Sequence, residues 1–171
     1  MNKMEEYSLE LSEYFKFNSS HFVLYKGFRE PLHGHNYKVS LKLSSLKLNE
    51  EGSIFNTDKI IEIMNNICKN LKHKLLLPAR NNCLNIKEDD KNYNLTCEDT
   101  SVFSIPKTDV RIVDIDQISA ECLAKYIAFE FLQVLRSSHN EQIESIKLTK
   151  IQVKISEDRG KKGVYNLKFN P

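Results

Sequence analysis

The 171-residue chain is 40% hydrophobic and 28% charged, the proportions of one soluble domain large enough to bury a core. Its 25 Lys and Arg and 23 Asp and Glu, net +2, are interspersed; with no basic stripe and no aromatic-basic interleaving, nucleic acid is not an expected partner. The opening Met1-Asn2-Lys3-Met4-Glu5-Glu6 is polar and no eighteen apolar residues run together, so the sequence predicts neither export nor a membrane span, and a cytoplasmic location.

In chain order, residues 7–17 alternate apolar and polar as a half-buried strand leading to His21. Residues 36–46 alternate in the same way. A connection of roughly a dozen residues would fold the two into an antiparallel hairpin. Glu51-Gly52 reads as a turn and Ser53 to Asn56 as a short extended piece. Thr57 is the expected cap of a helix carrying Ile60, Ile61, Met64, Ile67, Cys68 and Leu71 at helical spacing. That helix should end where Leu75-Leu76-Leu77-Pro78 begins, since Pro78 disfavours helix at Leu77.

Residues 79–108, rich in Asn and Asp, read as a surface insertion with a small hairpin formed by 92–96 and 101–105. Ser119 opens a second helix, with Glu121 suited to the macrodipole and Leu123, Ile127, Phe131 and Leu135 as its apolar stripe. The run Ser137-Ser138-His139-Asn140 is its expected end. Residues 146–155 alternate with a phase slip that a bulge would explain, and Gly163 to Phe169 gives a last strand. The order predicts one α+β domain over 1–171, a four-stranded antiparallel sheet with two helices on one face. Cys68, Cys83, Cys97 and Cys122 form no Cys-x-x-Cys pair and read as reduced thiols.

Chemistry concentrates in Glu30-Pro31-Leu32-His33-Gly34-His35-Asn36-Tyr37 and His21 upstream. On a strand, His33 and His35 leave on one face, and the preceding strand can bring His21 to them. Three neutral imidazole nitrogens without a fourth protein ligand describe a catalytic Zn2+ site, whose open position is left for water or substrate.

These blocks, with Gly52-Ser53-Ile54-Phe55-Asn56-Thr57-Asp58, Leu71-Lys72-His73-Lys74-Leu75, Ser119-Ala120-Glu121 and Ser156-Glu157, follow one another along almost the whole chain. Together they resemble the 6-pyruvoyl-tetrahydropterin synthase family. The resemblance implies a T-fold, in which trimers close their strands into a barrel and stack as a homohexamer with pterin sites at subunit interfaces. It implies Zn2+ on His21, His33 and His35, a pterin anchored by Glu157, Ser119 at the pterin edge, and His73 as a catalytic residue. Glu157 read from the residues alone is a solvated strand-end charge. A carboxylate can nevertheless accept two N–H bonds from the pterin's 2-amino-pyrimidinone edge.

Two departures bear on the reaction. Members that make 6-pyruvoyl-tetrahydropterin or the related carboxy-pterin use a cysteine shortly before His-Gly-His, whereas Tyr25 to Leu32 contains none and offers Glu30. This Glu-x-x-His-Gly-His form resembles the subgroup that cleaves 7,8-dihydroneopterin triphosphate to 6-hydroxymethyl-7,8-dihydropterin, a folate precursor. The expectation is therefore a Zn2+-dependent pterin lyase with Glu30 as base. The alternatives are 6-pyruvoyl-tetrahydropterin synthase activity or a weakly active pterin-binding paralogue, and a bland reading of Glu30 pairs it with Arg29 at the surface. The second departure is Lys72, where the family has Asp before the histidine; Asp114 and Asp116 are then the candidates to orient His73.

Overall fold

The computed structural model describes residues 5–158 and 160–170. β1 (Tyr7–His21) and β4 (His33–Ser45) form the expected antiparallel hairpin, longer at the His end than alternation alone indicated. Their register sets Phe17 opposite Tyr37, Ser19 opposite His35 and His21 opposite His33. Midway, Ser12, Glu13 and Tyr14 stand against the single Ser40, with Glu13 at φ 48°. The excess is even, so the odd-numbered residues of β1 stay on one face through the bulge. Between these strands, β2 (Leu24–Tyr25) and β3 (Phe28–Arg29) make a small hairpin whose turn needs Gly27 at φ 72°.

α1 (Thr57–Leu71) buries Ile60, Met64, Ile67, Cys68 and Leu71. Its cap is Asn56, one residue earlier than expected. Asn56 holds the extended backbone and its side chain accepts the Lys59 N–H, leaving Thr57 as the first helical residue. The chain then turns through His73, at φ 60°, into β5 (Leu75–Pro78), which lies parallel to β1. All four residues of β5 are buried, as an uninterrupted apolar run is when both faces of a strand are covered.

The insertion is a separate three-stranded antiparallel sheet, β6 (Leu84–Glu88), β7 (Asn92–Cys97) and β8 (Val102–Pro106); it contains the expected hairpin and one further strand. Leu84, Leu95 and Cys97 pack with Phe22, Leu24, Leu75, Leu77 and Val110 in a second core. The insertion is thereby fastened to the β1–β4 connection. A 3-10 turn (Lys107–Asp109) leads into β9 (Val110–Val113), parallel to β5.

α2 (Ala120–Ser145) is capped by Ser119 as expected, its side chain accepting the Cys122 N–H. His139, at φ −142°, breaks the helical backbone where the helix was expected to stop, and the chain resumes helix as far as Ser145. β10 (Leu148–Asp158) carries the expected irregularity between Leu148 and Lys150 and pairs with β11 (Lys161–Lys168). The main sheet runs β11-β10-β4-β1-β5-β9. Its first four strands are the predicted antiparallel set, extended by two short parallel strands.

The principal core lies between this sheet and the helices, with Phe15, Tyr37, Val39, Leu41, Ile127, Phe131, Ile151 and Val153 among its buried residues. Gly163 lets β11 pass the start of α2: a Cβ there would lie 2.3 Å from the Ala120 carbonyl carbon. The four cysteines are unpaired, and burial pushes the Cys68 thiol up to about 12. Among the described residues, no helix is long and apolar enough to cross a membrane.

Candidate metal centre and adjoining cleft

The hairpin register brings His21, His33 and His35 together at the end of the core. Ring centroids lie 4.6 Å apart for His21 and His33, 5.2 Å for His21 and His35, and 4.9 Å for His33 and His35. One ligand nitrogen from each falls within 4.8 Å of the others. His21 is only 3% exposed, and neither of its ring nitrogens has a hydrogen-bond partner of normal geometry. Burial, and then its neighbours His33 and His35, lower its pKa to about 4, with the Ile118 backbone the smallest influence and opposing.

A buried neutral imidazole without a partner is costly, and a metal ion is the partner that this donor set fits. His33 adds a second sign. Its Nδ1 lies 2.8 Å from the Pro31 carbonyl oxygen, which can only accept. Nδ1 must therefore carry the proton, leaving Nε2 with the lone pair a metal needs.

Beside the cluster is a cleft of about 470 Å³ whose lining includes His21, Glu30, His33, His35, Ser119 and Glu157, and also Glu121, Lys161 and Lys162. Six of the seven site residues singled out in the sequence thus share one cavity. Glu157 arrives on β10, which pairs with β4, and Ser119 arrives at the start of α2, drawn in by the contact at Gly163. The burial of the Tyr37 hydroxyl, followed by the negative charge of Glu157, holds that phenol above its ordinary range. None of the four cysteines lines the cleft.

The seventh residue, His73, is elsewhere. It is exposed and lines another cleft, of about 540 Å³, with Asn18, Asn36, Lys74, Asp109 and His35, the one histidine of the cluster that borders both clefts. Its backbone N–H is held by the Asn18 carbonyl at 2.7 Å. Asp114 and Asp116 do not orient it: both pair with Arg80, at 3.3 and 3.6 Å. The surface pairing of Glu30 with Arg29 does not form either, since the Arg29 guanidinium pairs with Asp99 at 3.2 Å. Sequence reading passed over Lys161 and Lys162. The adjacent lysines just after Glu157 were the available signal, and Lys162 is itself paired with Glu13 at 3.0 Å.

A two-helix, mixed-sheet domain with three clustered histidines that could hold a metal, beside a cleft lined by carboxylates and lysines, is the architecture of a small-molecule enzyme of the pterin-synthase type. The chain belongs to the 6-pyruvoyl tetrahydropterin synthase family, whose match spans residues 10–166. Among solved structures it is similar to the Plasmodium vivax 6-pyruvoyl tetrahydropterin synthase, with TM-score 0.88 and 31% identity, covering 96% of this chain and 99% of that one. The Plasmodium falciparum enzyme of the same name gives TM-score 0.85 and 30% identity over 96% and 98%. Two further P. vivax structures carry alanine or cysteine in place of a glutamate described as a catalytic residue. A Methanocaldococcus jannaschii protein named "Putative 6-carboxy-5,6,7,8-tetrahydropterin synthase" is 30% identical over 134 residues, 78% of this chain and 82% of that protein.

Proposed function

We propose that the protein is a Zn2+-dependent pterin lyase that converts 7,8-dihydroneopterin triphosphate to 6-hydroxymethyl-7,8-dihydropterin, with Glu30 as its base. The observation that carries this reading is the presence of a glutamate, and no cysteine, in the cleft beside the three histidines. The replaced catalytic glutamate of the P. vivax relative supports the same assignment. Zn2+ held by His21, His33 and His35 would supply Lewis-acid polarisation of a side-chain oxygen of the substrate.

The chain's own residues do the rest. Glu157 accepts the N–H groups of the pterin's 2-amino-pyrimidinone edge, and Ser119 borders that edge. Glu30 takes the proton from the C2' hydroxyl. The C1'–C2' bond then breaks, its electron pair entering the pterin ring, and C2' leaves as the aldehyde of a two-carbon triphosphate fragment. Return of a proton to C1' completes the hydroxymethyl group, so no oxidant or reductant is needed. His73 belongs to this chemistry only if a neighbouring copy supplies it, and interfacial sites are what the family resemblance implies.

A second reading is a pterin-binding protein with slow turnover. Lys72 favours it, because among the described residues no ion pair joins His73 to a carboxylate. Both readings meet one experiment: incubation of the purified protein with 7,8-dihydroneopterin triphosphate and Zn2+, with the pterin product identified by chromatography and mass. 6-Hydroxymethyl-7,8-dihydropterin as the main product is expected. Mainly 6-pyruvoyl-tetrahydropterin would replace the lyase reading with the synthase, and binding without product would leave the paralogue.

A further inference from the structure

The insertion and the residue before Glu30 meet at one point. The guanidinium of Arg29 lies 5.8 Å from the Phe22 ring centroid and 5.2 Å from that of Phe103 on β8, two rings that stack on each other at 5.4 Å. Its Nε donates to Asp99 Oδ2 at 3.2 Å and to Ser101 Oγ at 2.8 Å, both in the turn between β7 and β8. Its Nη1 donates to the Glu30 carbonyl at 2.8 Å. The Arg29 side chain is 19% exposed and that of Asp99 27%, so this pair is shielded more than an ordinary surface pair.

The anchorage extends to both sides. Ser101 holds Asp99 below the usual carboxylate range by its hydroxyl and then its N–H, with Arg29 adding to the effect. The same turn offers Glu98, whose Oε2 accepts the Gly27 N–H at 3.0 Å. From the other side Gln117, in the lead-in to α2, bonds both backbone groups of Leu24. The Glu30 N–H is tied to the Val23 carbonyl at 3.0 Å. Both backbone groups of Glu30 are therefore engaged, Pro31 restricts its backbone to extended values, and the Pro31 carbonyl holds His33. Only the Glu30 side-chain torsions are left unconstrained by this chain of bonds.

We propose that Arg29 is a positioning residue for Glu30, and that the β6–β8 sheet is the brace through which it acts. A planar guanidinium meets both rings, the turn and the carbonyl at once; an ammonium cannot match that fork. The inference rests on the reading of Glu30 as the base, because a brace matters to turnover only if the braced group moves a proton.

The test is a double-mutant comparison on the full chain loaded with Zn2+, using Arg29→Ala, Arg29→Lys and Glu30→Gln. Misplacing a reacting group by about 1 Å can cost about 10²-fold; Arg29→Ala is expected to lower kcat by about tenfold or more. Zn2+ content should stay stoichiometric and KM should change by no more than about twofold, with Arg29→Lys recovering part of the loss. In the Glu30→Gln background, Arg29→Ala should cost nothing further. Glu88→Ala breaks the Lys107 pair elsewhere in the same sheet and should leave kcat unchanged.

Wild-type kcat in Arg29→Ala while Glu30→Gln is crippled would overturn this inference alone. An equal further loss in the Glu30→Gln background, or an equal loss in Glu88→Ala, would also overturn it, since the arginine would then serve the fold at large. Wild-type turnover in Glu30→Gln would overturn both the base and its brace. If Arg29→Ala fails to fold, Asp99→Ala on the exposed turn carries the same comparison, with the same additive or non-additive outcomes deciding.

Discussion

A carboxylate and a thiol differ in reach, hydration and basicity, and the cleft holds the carboxylate. Glu30→Gln keeps size and hydrogen bonding while removing the proton acceptor, so steady-state turnover should fall by about 10²-fold or more. Metal content and pterin binding should persist. Glu30→Cys should restore a thiol at the same place; product analysis of that variant, with some 6-pyruvoyl-tetrahydropterin expected, tests whether the base selects the reaction. The histidines are checked separately by elemental analysis: His21→Ala or His33→Ala should lose most of the bound Zn2+. Zn2+ should raise Tm of the native protein, by an amount equivalent to about 2.7 kcal/mol at a free concentration 100 times Kd, and the same variants should show no such rise. Stoichiometric Zn2+ retained by His33→Ala would remove the ligand assignment.

Each element of the site is placed by a neighbour. The bulge in β1 preserves the facing that carries His21 to His33, and the close pass of β11 at Ala120 seats Ser119 over the cleft. At Gly163 the atoms a side chain would meet are backbone, at 2.3 to 2.6 Å, so relief requires moving α2 or β11. Gly163→Ala should therefore destabilise by about 1–3 kcal/mol, the usual scale for overpacking. At roughly 2–4 °C per kcal/mol for a domain of this size, differential scanning calorimetry should register it. KM for the pterin should rise as Ser119 and Glu157 are displaced relative to each other. Ser119→Ala removes a helix cap worth about 1 kcal/mol and serves as the milder comparison; an unchanged Tm in Gly163→Ala would contradict the packing described here.

At the scale of the molecule, β11 and β9 end the main sheet within one chain, and unpaired edges invite strand pairing with other copies. An assembly of six chains is the expected solution state, and light scattering at micromolar concentration checks it: a fully active monomer would refute it. His73 gives a sharper test, since one chain holds it in a different cleft from Glu30. Glu30→Gln chains and His73→Ala chains should each be impaired, and mixing them, after dissociation and reassembly, should restore part of the activity by forming some sites with one intact Glu30 and one intact His73. Mixtures no more active than their parents would mean that His73 has no part in a shared site.

Alternation is a local property, and it was enough to put His33 and His35 on one face, to suggest His21 opposite them across a connection of roughly a dozen residues, and to foresee the bulge in β10. Capping is local too, so Ser119 was legible; at the other helix, Asn56 and Thr57 are both good caps, and only the backbone dihedrals separate them. The apolar run Leu75 to Pro78 carries no periodicity, so its place as a parallel strand beside β1 was decided by burial on both faces. The partner of Arg29 lies 70 residues away, beyond any window in which spacing can be read. That contact, which separates Arg29 from the Glu30 carboxylate, exists because the second core holds the insertion against the β1–β4 connection. His73 was placed by its motif, but its direction was set by a left-handed turn after α1. Short-range pattern thus determined which chemistry the chain carries, while packing between distant segments decided which groups share a cleft.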